Sequence, residues 1–367
     1  MTMRVVPFDP ALSMGALARV GHRVGEAANL AVLNQTTAGA VASSRTGDAL
    51  PHSAGRNGED VCRSPGAGAL PPTREETEMC RWLSYTGSPV LLDELLYKPK
   101  HSLIVQSLHA TMGAETTNGD GFGVGWYGAQ ADPGVFHSTE PAWNDRNLRE
   151  LATHVASPLV FAHIRASSGS AVQQTNCHPF RRGRWLWMHN GLLRSFADVK
   201  RDLTLAVDPA LFPEIEGSTD SELLFFLALT FGLEDDPPRA VERAVGLVEA
   251  TGRRHGVEHP IQMTVATSDG ERLWAFRYSS EGRSRSLFHS TDVRTLRHQY
   301  PDNPILHAVS DQTRLVVSEP LGDLKGAWSA VPEATSVLIH GGREELRPFT
   351  PRPAVPRSGR SGPLTED

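Results

Sequence analysis

The sequence predicts an α+β domain built from antiparallel sheets and packed helices, and three observations carry that prediction. Short apolar or alternating segments bounded by Gly, Asn or Pro come first, at 122–127, 159–166 and 185–189, and read as strands. Two helices follow. The first has the N-terminal signature Ser218-Thr219-Asp220-Ser221-Glu222 ahead of Leu223, Leu224, Phe225, Leu227 and Leu229; Pro237 and Pro238 open the second, with Ala240, Val241, Ala244, Val245 and Val248 on one face. Extended pattern then returns at 261–278, around Asp269-Gly270 read as a two-residue hairpin turn, and again at 314–318 and 337–349. Strands, then helices, then strands is the order of a layered α+β domain; a doubly wound parallel sheet would alternate them. Ahead of all these, apolar Leu95, Leu96, Ile104, Val105 and Leu108 around Pro99 predict two short helical pieces.

Composition divides the chain of 367 residues into three parts. Residues 1–78 hold one aromatic, Phe8, and no lysine, and are rich in Ala, Gly, Ser, Thr and Arg. Such a segment buries too little apolar area to offset its ordering entropy, so a disordered extension is expected there. At Met79 the character changes: Trp82, Tyr85, Leu91, Leu92, Leu95, Leu96 and Tyr97 follow closely, and a domain spanning 79–348 is expected. From Phe349 onward four prolines among Gly, Ser and Arg predict a disordered tail, 349–367.

The totals exclude several function classes. A net charge of -6 with scattered arginines gives no electrostatic footprint for nucleic acid or an anionic membrane. The apolar run 223–231 is far short of the roughly 20 residues that cross a bilayer. Cys62, Cys80 and Cys177 are odd in number and lack a CxxC pair, which argues against a disulfide framework or a cysteine-rich zinc site and points to a reducing cytoplasm. The 15 histidines show no convincing HxxxH spacing, so no metal and no cofactor are expected.

Five local signals remain: Met79-Cys80-Arg81-Trp82; Asn118-Gly119-Asp120-Gly121-Phe122-Gly123; Ala162-His163-Ile164-Arg165-Ala166; His189-Asn190-Gly191; and the Ser218–Glu222 turn. Each alone has an ordinary reading: a buried cysteine, an Asn-Gly turn, a surface arginine, a capping aspartate. Together and in this order they resemble the class II glutamine amidotransferase domain of the N-terminal-nucleophile superfamily, over roughly residues 79 to 347. The stand-alone bacterial members, which begin Met-Cys-Arg, are the nearest in pattern. The resemblance implies a four-layer αββα N-terminal-nucleophile hydrolase-like sandwich with antiparallel sheets.

It also implies a site. Cys80 at position two after a methionine would gain a free α-amine beside its thiol once that methionine is removed. The amine's ordinary pKa of about 7.7–8 suits a general base. Asn190 and Gly191 are the expected oxyanion donors, and Arg165 and Asp220 the ions that hold the α-carboxylate and α-ammonium of glutamine. In the larger family members the arginine motif continues with Thr-His; here Ala166-Ser167-Ser168-Gly169 follows, so Ser168 stands in for the threonine and nothing replaces the histidine. The glycine-rich 118–123 segment precedes a strand, which excludes a phosphate-binding loop and leaves a turn that shapes the site. Asn176-Cys177-His178-Pro179 is expected to be a structural turn, since neighbours on an extended chain face opposite ways and form no Cys-His pair.

The expected activity is release of ammonia from glutamine through a Cys80 thioester. The alternatives are a γ-glutamyl amide hydrolase acting on a conjugated substrate, resembling the ergothioneine-pathway enzyme, and a non-catalytic glutamine-binding partner. The expected partners are glutamine or a γ-glutamyl small molecule, with a separate synthase as ammonia acceptor, because the roughly 130 residues after Asp220 leave no room for a typical synthase domain. An α-amine base requires Cys80 to be residue one. Initiation at Met79, or cleavage after it, is therefore expected.

Overall fold

The architecture follows from which face each strand side chain takes. The computed structural model of the chain describes residues 80–108, 118–166 and 170–352. β1 (Arg81–Leu91) is followed by two short helices, α1 (Leu92–Leu96) and α2 (Leu103–Leu108). Next come β2 (Phe122–Trp126), β3 (Gly134–Ser138), α3 (Arg146–His154) and β4 (Ala156–Ile164). The hairpin of β5 (Phe180–Arg182) and β6 (Trp185–Leu193) leads into α4 (Phe196–Thr204), α5 (Asp220–Thr230) and α6 (Pro237–Arg254). β7 (Ile261–Ser268), β8 (Leu273–Ser279) and β9 (Phe288–Ser290) follow, then α7 (Val293–Gln299) and α8 (Pro304–Ala308). The last described strands are β10 (Arg314–Val317), β11 (Trp328–Ala330), β12 (Thr335–His340) and β13 (Arg343–Pro348).

The strands form two antiparallel sheets, ordered β11-β9-β10-β1-β4-β2-β3 and β13-β12-β8-β7-β6-β5. Alternation then divides the core. In the first sheet Leu83, Tyr85, Val160, Ala162 and Ile164 face outward, against Leu92, Leu95 and Leu96 of α1, Leu103 of α2 and Leu148 of α3. Trp82, Leu159 and Phe161 face inward and meet Leu186, Met188, Leu273 and Ala275 of the second sheet. The outward residues of that sheet, Trp187, Val265, Trp274 and Phe276, lie under α5 and α6. Helix, sheet, sheet and helix therefore stack in four layers, as expected. α5 is apolar all round because it is covered on every side.

The expected strands at 122–127, 159–166 and 185–189 are β2, β4 and β6, and the two long helices begin where their caps predicted. Thr219 is the capping residue of α5, accepting from the Glu222 N–H at 3.2 Å, while the Glu222 carboxylate accepts from the N–H groups of Glu216 and Gly217. Four differences emerge. β1, among the longest strands, has no clean alternation because both its faces are buried at Trp82, Leu83 and Tyr85. Asp269-Gly270 belongs to a four-residue connection, since Ser268 pairs with Leu273; the Asp269 carboxylate organises it by accepting from the N–H groups of Glu271 and Arg272. The segment 337–349 is a hairpin, β12 and β13, turning at Gly341-Gly342, where both φ angles are positive (55° and 76°). Finally, the chain stays packed beyond 348: Phe349 is buried against Phe276 and Tyr278, and Arg352 N–H donates to the Glu242 carbonyl of α6. One aromatic side chain outweighed the proline-rich composition around it.

Candidate active site

Cys80 immediately precedes β1, the strand flanked in the first sheet by β10 and β4. Arg81 pairs with Ile164, the last residue of β4, so Cys80 lies against Arg165 and Ala166 where that strand ends. The thiol donates to the Ala166 carbonyl and accepts from the Ala166 N–H, both at 3.4 Å. Burial pushes the Cys80 thiol above its ordinary pKa; the Ala166 contact and the charges of Arg165, Arg285 and Arg81 oppose that rise. A thiol so placed is mostly protonated at neutral pH and needs a base within reach. Arg81 is itself buried, donates to the Cys80 carbonyl at 3.2 Å and pairs with buried Glu319 at 2.8 Å, so the residue after Cys80 is anchored.

The second sheet brings Asn190 and Gly191 to the same place. The Asn190 side-chain amide donates to the Cys80 carbonyl at 2.9 Å. Thr264 of β7 clamps the two sheets together: its hydroxyl accepts from the Trp82 indole at 3.2 Å and donates to the Asn190 carbonyl at 3.4 Å. Gly191 has a φ of +154°, and a Cβ there would stand 1.9 Å from the Gln262 carbonyl oxygen and 2.7 Å from His189 Nε2. Only glycine fits. Gly191→Ala is expected to cost at least about 1–3 kcal/mol of stability, because β6 must move off β7, and to lower turnover with it. Thermal unfolding and kcat on the same preparation check this; an unchanged melting temperature would contradict the geometry.

Arg165 is almost fully buried. Its guanidinium donates to the Asp120 carbonyl at 3.4 Å and to the carbonyl and hydroxyl of Ser170 at 3.3 and 2.6 Å. These bonds make the glycine-rich turn a wall of the site. Gly121 within it has a φ of +101° and would place a Cβ 2.8 Å from the Ser138 carbonyl oxygen. Asp220 is the first residue of α5 and holds β6 through the Leu193 N–H, at 2.8 Å. The Ser221 hydroxyl donates to its other carboxylate oxygen at 3.2 Å and lies 2.8 Å from His189 Nδ1. Asp220 is thus linked through Ser221 to the residue preceding Asn190, and it does not cap its helix. Ser168 lies outside the described residues.

Cys177 and His178 do not pair. The Cys177 thiol is buried near Gly121 and pushed up to about 11 by that burial, whereas the His178 ring packs 4.2 Å from His163 and 4.6 Å from Phe180. Asn176 provides the structural turn: its amide donates to the Ala171 carbonyl and accepts from the Ser218 N–H, both at 2.9 Å, tying this loop to the Asp220 turn.

Histidines 163, 178 and 189 form a buried group behind the site. Burial holds all three below the usual imidazole pKa, His163 at about 3. They fold neutral and are protonated on unfolding below about pH 6.5, so stability is full above that value and falls with falling pH, by at most about 1.4 kcal/mol per pH unit for each. Neither ring nitrogen of His178 has a hydrogen-bond partner among the described residues. His178→Phe is therefore expected to remove one such proton from the slope of unfolding free energy between pH 4 and 6, as urea unfolding at several pH values would reveal. An unchanged slope would mean that His178 is already charged in the folded state.

Sequence reasoning missed the Arg81–Glu319 pair, the Thr264 clamp, the Ser221–His189 link and Arg285. The Ser221 and His189 positions sat inside quoted motifs; Glu319, Thr264 and Arg285 carried no local signal. Among the described residues, no group of three or more His, Cys, Asp or Glu could hold a metal ion, and no helix is long and apolar enough to cross a membrane.

Comparison with known proteins identifies the family. The family described as Glutamine amidotransferases class-II matches residues 98–345. The chain is 34% identical over 294 residues to the probable glutamine amidotransferase DUG3 of Saccharomyces cerevisiae, covering 71% of this chain and 82% of that protein. It is 27% identical to the gamma-glutamyl-hercynylcysteine sulfoxide hydrolase of Mycolicibacterium smegmatis, covering 74% of this chain and all (100%) of that one. A solved class-II glutamine aminotransferase domain protein from Silicibacter pomeroyi superposes with a TM-score of 0.57 at 33% identity, over 74% of this chain and 100% of that structure. With two antiparallel sheets between helical layers and Cys80, Asn190 and Arg165 brought to one point, the chain belongs to the class II glutamine amidotransferase family, enzymes of the N-terminal-nucleophile hydrolase fold.

Proposed function

We propose that the mature protein begins at Cys80 and hydrolyses the γ-amide of glutamine, or of a γ-glutamyl compound, through a thioester on that residue. The observation that carries this reading is the convergence on Cys80 of the Ala166 backbone at 3.4 Å and the Asn190 amide at 2.9 Å. The thiol proton passes to the residue's own α-amine as sulfur attacks the γ-carbonyl carbon. The oxyanion that forms is met by the Asn190 amide and the Gly191 N–H. Collapse breaks the C–N bond, the α-ammonium returns its proton to the departing nitrogen, and water then cleaves the thioester. Arg165 holds the substrate's α-carboxylate and Asp220 its α-ammonium, with Ser168 on the loop after Arg165.

A start at Cys80 arises from initiation at Met79 and loss of that methionine, or from cleavage after it. The Mycolicibacterium smegmatis hydrolase, matched over its whole length by 74% of this chain, supports a catalytic unit shorter than the full chain. The ammonia acceptor, where one exists, is a separate protein. A thiol nucleophile that must stay reduced suits a reducing cytoplasm.

A second reading, hydrolysis of a conjugated γ-glutamyl amide, is favoured by the name of that same relative and by the Ala-Ser-Ser-Gly that follows Arg165 where larger family members have Thr-His. The test combines three measurements on protein purified from cells: intact mass, ammonia release from glutamine, and labelling by a glutamine-like diazoketone. A chain starting at Cys80, active and labelled at that residue, is the expected result. An active chain that keeps residues ahead of Cys80 would overturn the mechanism.

A further inference from the structure

Arg285 lies in the connection between β8 and β9, and the residues around it are fixed on every side. Arg283 offers its carbonyl to the Gln262 side chain at 2.8 Å. The Ser284 N–H and hydroxyl both donate to Glu333, at 3.1 and 2.6 Å, and Arg277 donates to that hydroxyl at 2.9 Å. The Ser286 hydroxyl donates to the Ser318 carbonyl at 2.9 Å, and Leu287 accepts from the Val331 N–H at 2.8 Å. Two of these anchors belong to the site. Gln262 is the residue whose carbonyl crowds Gly191, and Ser318 exchanges hydrogen bonds with Trp82, two residues from Cys80.

The half-buried Arg285 therefore lies in a segment tied on one side to Gln262, beside Gly191, and on the other to Ser318, beside the start of β1. Its positive charge acts on both the Cys80 thiol and the His189 ring. The flank it occupies matters. β1 lies between β4 and β10; Arg165 follows β4, whereas Ser318, which carries the Arg285 segment, follows β10. If the glutamyl end of a substrate lies toward Arg165, the group leaving the γ-carbonyl must lie on the other side of the thiol, toward Arg285.

We propose that Arg285 is a specificity-determining residue that receives the carboxylate of the leaving group, so that the preferred substrates are γ-glutamyl amides of amino acids or peptides. An amine of that class carries a carboxylate within a few bonds of the scissile nitrogen, and a fixed guanidinium is the side chain suited to it. Ammonia, the leaving group of glutamine, has no such handle. The reaction remains a hydrolysis: the γ-C–N bond breaks, the leaving nitrogen takes the proton first removed from the Cys80 thiol, and water completes glutamate. This assignment rests on the proposed amide-hydrolase activity.

The test compares kcat/KM for γ-glutamyl-alanine with that for its C-terminal amide, γ-glutamyl-alaninamide, using glutamine as reference. Both ratios come from one preparation, so incomplete folding of a variant does not affect them. The unsubstituted enzyme is expected to prefer the acid by roughly 10- to 100-fold. Arg285→Gln should bring the acid-to-amide ratio close to one, and Arg285→Lys should keep part of the preference. An unsubstituted enzyme that does not distinguish acid from amide, or an Arg285→Gln variant that retains the preference, overturns the assignment while leaving hydrolysis of glutamine intact. If the chain starting at Cys80 acts on none of the three compounds, the amide-hydrolase reading fails first.

Discussion

Cys80→Ala is expected to abolish turnover, with a loss of about 1,000-fold or more, and Cys80→Ser to fall nearly as far. Alanine removes the thiol outright. Serine keeps the α-amine but offers a hydroxyl that is much harder to deprotonate. Neither change should unfold the protein, because the thiol's hydrogen bonds among the described residues are two long ones, both to Ala166 at 3.4 Å. The burial-raised pKa sharpens the expectation: with little thiolate present at neutral pH, attack depends on the neighbouring base. The acid limb of the pH–rate profile should then follow the α-amine, near its ordinary value of about 7.7–8. Molecules that still carry Met79 should be inactive despite an intact thiol. Ammonia release, with intact mass to count processed chains, checks both statements; activity that survives in Cys80→Ala would rule out the nucleophile.

Asn190→Ala is expected to lower kcat by about 100- to 1,000-fold with little change in KM, the signature of a donor used in the transition state more than in the ground state. Its amide donates to the Cys80 carbonyl at 2.9 Å, so on the proposed mechanism one N–H holds the Cys80 backbone while the other serves the oxyanion. Asn190→Asp should be worse, because it sets a negative charge where negative charge develops. Both variants keep their place in the sheet, as the backbone of Asn190 pairs with Thr264. A rise in KM with kcat unchanged would show that Asn190 only binds substrate.

Much of the fold was legible because local patterns carried it. The Ser218–Glu222 signature marks α5, Pro237-Pro238 and one apolar face mark α6, and Gly-, Asn- or Pro-bounded runs mark β2, β4 and β6. β1 was not legible as a strand, since a segment covered on both faces loses its alternation. The longer turn at Asp269 was misread because a dipeptide signals a turn without stating how many residues the register leaves for it, whereas Gly341-Gly342, a two-residue turn, went unread inside an extended run.

The site divides in the same way. Cys80, Arg165, Asn190, Gly191 and Asp220 were named as candidates through motifs and their order along the chain, and the sequence by itself therefore determined the family and the residues proposed for its chemistry. Only the tertiary structure decided how these residues meet. It places Cys80 between β4 and β10, clamps Trp82 to Asn190 through Thr264, anchors Arg81 on Glu319, and carries Arg285 to the far flank of the thiol. Each of those links joins residues far apart in the chain. Periodicity and spacing report on neighbours in sequence, whereas a contact between sheets is set by register and packing, and leaves no local trace.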